Sequence, residues 1–296
     1  MATKADEVDP SKLQDLEGDT PEPARPHRRP PSTTENAFSI LMTAGSNKAH
    51  STSSTRPPKP RSKPSRHVTG SFQGPFIARY GLGIYLQPTY KDPSMISRDE
   101  HWCLIWDMYP KSKLHILLLP RHVPQSQTYV LDAFDDAAFR AACVAKIAEV
   151  RGLAGRELRR IVGGRSGTEQ RRAAAIGAAR GDDGRVEIPP ARDYEVDVKT
   201  GVHAMPSMNH LHVHFLSVDR ISEKIRCRAH YNSFNTGFLI PVEDFPLAAD
   251  DPRRDGVEMG RVLRGELRCW RCHRCFKALP ELKGHLEREF EEWAGI

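Results

Sequence analysis

Gly201-Val-His-Ala-Met-Pro-Ser-Met-Asn-His-Leu-His-Val-His-Phe-Leu-Ser217 is the stretch on which the fold turns. The sixteen residues after Gly201 hold four of the chain's thirteen histidines. From Asn209 onward polar and apolar residues alternate. A strand, with its period of two, therefore puts His210, His212 and His214 on one face and Leu211, Val213 and Phe215 on the other. Such a row could bind Zn2+, or one imidazole could be a nucleophile while its neighbours and nearby backbone amides hold a phosphate. A solvated polar strand face is the bland alternative. Upstream, His203 and the turn Pro206-Ser207-Met208 supply a further acid and free N–H groups, which phosphoryl chemistry needs and a metal site does not.

At 296 residues the chain can bury a substantial core in one or two domains. Its hydrophobic share of 39% and its 23 prolines predict a sizeable disordered part. A net charge of +6 and a pI of about 9.0 favour a polyanionic partner, although a basic tail alone gives the same balance. No apolar run reaches the roughly 20 residues that span a bilayer, and no signal-peptide layout opens the chain, so no membrane association is expected. Three of the six cysteines crowd into seven residues near the C-terminus, a pattern of reduced thiols and a metal site rather than disulfides.

Residues 1 to about 72 read as a disordered tail, acidic at first and basic from Arg25 to Arg66. The run Arg56 to Arg66 fits a nuclear localisation signal, a loose nucleic-acid tether or a solubilising segment. Within the tail, residues 35–42 place Phe38, Leu41 and Met42 on one side of a short helix, which reads either as a peptide docking into a protein partner or as a chance apolar patch. A folded domain is expected over 73–245. Phe76, Ile77 and a Gly-containing helix at Tyr80–Leu86 open it, and the strands Trp102–Trp106 and Leu114–Leu119 form a hairpin. A helix over Leu131–Val162 ends at Gly163 and Gly164, and Tyr194–Val198 is the strand before the histidine stretch. Between about 163 and 190 lies an Arg-rich insertion with Arg165, Arg171, Arg172, Arg180 and Arg185 and a short helix at Glu169–Ala179. It suits either a phosphate-contacting or a solvated loop.

The run His210-Leu-His-Val-His-Phe-Leu216 resembles the signature of the histidine triad family of nucleotide hydrolases and transferases, and the wider run from Gly201 is closer still to its aprataxin branch. The resemblance spans roughly Phe76 to Trp293 apart from the insertion. It implies an α+β histidine triad domain, an antiparallel sheet with helices, and a DNA repair hydrolase that removes AMP from adenylated 5′ DNA ends. Asp107 and His115 match the family's ribose-binding Asp and the His eight residues later, and Pro110-Lys111 resembles the aprataxin Pro-Lys pair beside the adenylate. The plain reading is that Asp107 caps a hairpin turn and Lys111 is a solvated charge. By the same match His212 is the nucleophile, and His210 and His214 orient it with the amides of Ser207 and Met208. His203 is the general acid, and His230, Tyr231 and Asn232 help hold DNA. No catalytic metal is implied. The alternatives are a hydrolase of dinucleoside polyphosphates or nucleoside phosphoramidates, and a non-catalytic adaptor for DNA ends.

Near the C-terminus Cys269, Cys272, Phe276, Leu282, His285 and Glu289 carry the intervals of a two-cysteine, two-histidine zinc finger, with a carboxylate in the last position. Cys275 competes, but the Phe and Leu intervals count correctly only from Cys272. Residues 246–296 are thus expected to form a small ββα-like finger around structural Zn2+, unfolding when the metal is lost. Arg271, Arg274 and Lys277 are placed for phosphate contact. The expected protein is nuclear and monomeric.

Overall fold

The computed structural model describes residues 79–179 and 187–296. The tail with its Phe38–Met42 motif and Arg56–Arg66 run, Phe76, Ile77, Arg180 and Arg185 all lie outside the described residues.

Six antiparallel strands form the main sheet: β1 (Met95–Arg98), β2 (Trp102–Trp106), β3 (His115–Pro120), β4 (Val198–His203), β5 (Val213–Ser217) and β6 (Leu239–Ile240), in the order β1-β2-β3-β5-β4-β6. The expected hairpin is β2–β3, with Trp106 opposite Ile116. All six residues of β3 are buried because both faces of the sheet are covered. On one face Leu104, Ile116, Leu118, Val213 and Phe215 pack in the main core with the long helix α3 (Ala137–Val162), which follows the short helices α1 (Val123–Gln127) and α2 (Val130–Ala133). On the other face Cys103, Ile105, Leu117 and Leu119 meet Leu82 and Tyr85 of a 3-10 turn, Gly81–Leu86.

Three local expectations are corrected. The helix expected over Leu131–Val162 is two helices, because Asp136 accepts from the amides of Ala138 and Phe139 and starts α3 afresh while Phe134 turns fully into the core. Tyr194–Asp197 is a turn closed by Asp197 N–H to Tyr194 O, so the strand starts at Val198 and takes in Gly201 and His203. The histidine row is only partly a strand. β5 begins at Val213, and Leu211 gives its N–H to Ser126 O of α1 instead of to the sheet.

The insertion forms α4 (Gly167–Ala179), which buries none of its residues. It is tied down at its start: Thr168 donates through both its amide and its hydroxyl to Ile296 O, and Arg159 pairs with Glu169 and Arg165 with Glu291. Just beyond it, Arg192 lies over the rings of Tyr194 and Trp293 and donates to Trp293 O. Helices α5 (Arg228–Asn235) and α6 (Gly256–Arg264) lead to a ββα unit of β7 (Leu267–Arg268), β8 (Cys275–Phe276) and α7 (Leu279–Gly295). Leu282 and Leu286 of α7 pack in a small cluster with Leu267 and Tyr231, but Phe290, Trp293 and Ala294 belong to the main core. The core is continuous across the boundary expected at 245/246.

Candidate active site and metal centre

Register places the histidines. Leu117 faces His214 and His214 faces Gly201, so His115, His203 and His214 project from the sheet face opposite α3. His203 and His214 have ring centroids 4.4 Å apart, His212 and His214 4.7 Å, and His115 and His214 5.3 Å. His210 reaches the same neighbourhood from the loop before β5, edge-on to Tyr80. It sits so close to the 3-10 turn that a Cβ on Gly83 would lie 2.7 Å from its Cε1, so any larger residue there must displace the ring.

Hydrogen bonds fix the tautomers. His212 Nδ1 is 2.7 Å from His210 O, and a carbonyl can only accept, so the proton is on Nδ1 and the Nε2 lone pair is free. His115 Nδ1 accepts the Lys111 amide at 3.1 Å, leaving its Nε2–H to donate to His214 Nδ1 at 3.1 Å; His214 then carries its proton on Nε2. The Nε2 atoms of His203 and His214 and Nδ1 of His210 are buried with no hydrogen-bond partner among the described residues. Three such orphans at one place mark a site built for something other than packing.

Burial keeps the rings neutral. Desolvation pulls His115 down to about 4 against the opposing pull of Asp107, and it holds His203 and His214 well below the ordinary imidazole range, helped by the neighbouring histidines. His210 and His212 are lowered for the same first reason. A cavity of about 310 Å3 opens beside His203, His210 and His212, with Arg79, Tyr129 and Met208 on its other walls.

The other expected site residues divide. Ser207 is exposed and Met208 lines the cavity, and their amides donate to no carbonyl among the described residues. Asp107 and Lys111 do not line it. Asp107 accepts from Tyr109 N–H at 2.6 Å, capping the hairpin turn as the plain reading had it, and its other oxygen lies 3.4 Å from His115 Nδ1. Lys111 Nζ donates to Tyr109 O. His230 is half-buried, its pKa drawn down to about 4 by burial. Tyr231 and Asn232 are corrections. The Tyr231 ring is fully buried under the finger with its hydroxyl donating to Arg268 O, and the Asn232 amide donates to Val262, Leu263 and Gly265 at the end of α6, so neither side chain reaches a surface. Arg271 is half-buried and ion-paired to Glu289 and Glu292, whereas Arg274 and Lys277 stand exposed. Sequence reading missed Arg79, Tyr80, Gln127 and Tyr129, because these loop and turn residues carry no spacing pattern.

Cys269, Cys272, His285 and Glu289 bring one donor atom each to within 4.8 Å of one another, with His285 Nε2 3.1 Å from Cys272 Sγ and 3.0 Å from Glu289 Oε1. Ligand bonds of about 2.0 to 2.3 Å in a tetrahedron put donors about 3.5 Å apart, so this set fits Zn2+. Arg271 holds the Glu289 carboxylate from outside. Cys275 stands apart, its thiol directed at Glu266. Asp107, His115 and His214 also converge, but both nitrogens of His115 and Nδ1 of His214 are engaged with each other and with the Lys111 amide.

A HIT domain model matches residues 89–221 and a C2HE / C2H2 / C2HC zinc-binding finger model matches 235–292. An aprataxin-like protein of Saccharomyces cerevisiae is 31% identical over 72% of this chain and 95% of its own length, and one of Schizosaccharomyces pombe is 26% identical over 88% and 95%. Among solved structures, the aprataxin ortholog Hnt3 in complex with DNA is 26% identical, covering 73% of this chain and 96% of that one at a TM-score of 0.55. Hnt3 with DNA and guanosine gives 25% and 0.54.

Proposed function

The chain belongs to the aprataxin family of histidine triad DNA-repair hydrolases, and from that premise we propose that it removes AMP from adenylated 5′ ends of DNA. The observation that carries this is His212, a buried neutral imidazole with its Nδ1 proton given to His210 O and its Nε2 lone pair free beside a cavity. In the first step Nε2 attacks the α-phosphorus. The P–N bond forms as the bond from phosphorus to the bridging oxygen breaks, and the electron pair departs with the DNA 5′-phosphate. In the second step water adds to phosphorus as the P–N bond breaks, its electron pair returns to His212 Nε2, one water proton is lost to solvent and AMP is released.

His214 Nε2–H and the amides of Ser207 and Met208 are the donors available to the phosphoryl oxygens. His203 is the acid for the departing phosphate. Alone it is neutral, but a pyrophosphate-linked substrate brings negative charge against it, which favours its protonated form over the desolvation that now depresses it. Asp107, on the far side of His115, is the candidate for the ribose hydroxyls. Zn2+ on Cys269, Cys272, His285 and Glu289 would hold the finger, with Arg274, Lys277, Lys111 and His230 for DNA phosphates. The protein would act as a monomer in the nucleus, where such ends arise.

The test is an adenylated nicked duplex with radiolabelled AMP. The parent protein releases AMP and, when quenched with acid-sparing denaturant, carries label on the chain. His212→Ala keeps the melting temperature and loses both signals by a factor of at least about 10³. AMP release by His212→Ala at the parental rate would overturn the assignment. Faster turnover of dinucleoside polyphosphates than of the nicked duplex would overturn the substrate.

A further inference from the structure

His115, His203 and His214 share a neighbour that the mechanism above does not use. Phe234, on α5, is 6% exposed, and its ring centroid lies 4.6 Å from that of His203, 5.0 Å from His214 and 5.2 Å from His115, edge-on to the last two at 84°. Phe238 closes the outer side of His203 at 5.1 Å. Apart from His214 itself, no other side chain among these ring contacts touches three of the site's imidazoles.

Such a wall has work to do here. His214 has one ring nitrogen bonded, to His115, and its other is an orphan; His203 has an orphaned Nε2. Rotation about χ2 is broad and roughly two-fold for histidine, so a ring with one hydrogen bond or fewer is not fixed by bonding alone. Packing has to choose the orientation. Phe234 itself is held from behind: Arg220, buried and in the left-handed backbone region at φ 51, donates to Phe234 O at 2.8 Å and also to Ser217 O and Ser112 Oγ. The strand end that carries His214, the hairpin loop and the helix that carries Phe234 are thus fastened to one guanidinium.

Resting on the reading of the histidine cluster as the nucleotidyl-transfer site, we propose that Phe234 is a positioning residue for that reaction: its ring sets the orientation of His203 and His214 and keeps water from the His115–His214 pair. It touches no substrate. It acts through the three rings, and a smaller side chain there lets them rotate and hydrates them. The same burial is the leading cause of their depressed pKa values, so hydration carries a signature separate from lost packing.

The experiment compares Phe234→Leu and Phe234→Ala with Phe245→Leu, a core phenylalanine that packs on Phe134 and contacts none of these histidines. Imidazole nitrogen chemical shifts of the free protein are followed against pH, and turnover is measured on adenosine 5′-phosphoramidate, which is too small to span the finger. Phe234→Leu is expected to raise the titration midpoints of His203 and His214 toward the ordinary value. It is also expected to lower kcat roughly 10-fold with KM within about threefold, and Phe234→Ala to lower kcat toward 100-fold. Phe245→Leu lowers the melting temperature and leaves both readouts unchanged. The proposal is overturned if Phe234→Leu loses stability as Phe245→Leu does while its histidine titrations and kcat stay parental. Histidine titrations that move in a protein inactive toward every adenylate would sink the functional reading and leave Phe234 as the ring-setting residue.

Discussion

Replacing Gly83 by Ala tests whether the position of His210 governs the rate. A Cβ at Gly83 would stand 2.7 Å from His210 Cε1 and 2.9 Å from Nε2, where ordinary contact begins at 3.4 Å, so the ring has to retreat by about 0.7 Å. The backbone of Gly83 is outside the left-handed region, which leaves the clash as the only local obstacle. His210 cannot yield without cost, because its carbonyl is the acceptor that fixes the Nδ1 proton of His212. A displacement approaching 1 Å in a catalytic constellation costs on the order of 10²-fold, so kcat should fall about 10- to 100-fold. Stability should fall by at most about 2.6 kcal/mol: Ala gains about 0.4 to 1 kcal/mol through the unfolded chain, against an overpacking cost of about 1 to 3 kcal/mol. The assay is saturating turnover on adenylated duplex beside a thermal melt. Gly81→Ala is the control, since its Cβ meets only the mobile Cε of Met208 at 3.3 Å. If Gly83→Ala turned over like the parent, or no more slowly than Gly81→Ala, His210 would not be setting the nucleophile.

Acid should weaken the fold through the neutral histidines. Their folded pKa values lie below the unfolded value of about 6.5, so the unfolded chain binds more protons. Stability present above pH 6.5 is therefore lost as the pH falls, and His115 alone contributes about 3 kcal/mol of that loss between pH 6.5 and about 4. Urea unfolding midpoints at pH 7.5 and 5.5 measure it, and equal midpoints would show that these rings protonate freely in the folded state. Metal removal should loosen the knuckle around Cys269 and Cys272 but leave the far half of α7 docked, because Phe290, Trp293 and Ala294 sit in the main core. Limited proteolysis after chelation should cut between about 266 and 280, and loss of protection over all of 246–296 would refute it.

Much of this was legible from residue order because the signals are local. The alternation around His212 and the finger's Cys, Phe, Leu, His spacing depend on strand or helix period, and the finger helix and the second half of the histidine row formed where period put them, while His210 and His212 stand in the loop before β5. What could not be read depends on contacts between distant segments. Sequence position suggests DNA contacts for Tyr231 and Asn232, yet their partners, Arg268 O and the end of α6, lie some thirty residues away. The pairing of Arg271 with Glu289 and Glu292 is long-range in the same way, and so is the trio of rings around Phe234. The expected unfolding of the finger without metal treated α7 as belonging to one module, whereas its last turns complete another core.

Through the start of α4 the insertion, and just beyond it Arg192, grip the chain around Trp293 and Ile296, while the donor set around His285 lies at the other end of the same helix. A rod anchored at both ends cannot swing. The angle between finger and sheet is then a fixed jig rather than a hinge setting. Among the described residues, Arg165 and Thr168 of the insertion and Arg192 just beyond it thus serve rigidity at the far end of α7.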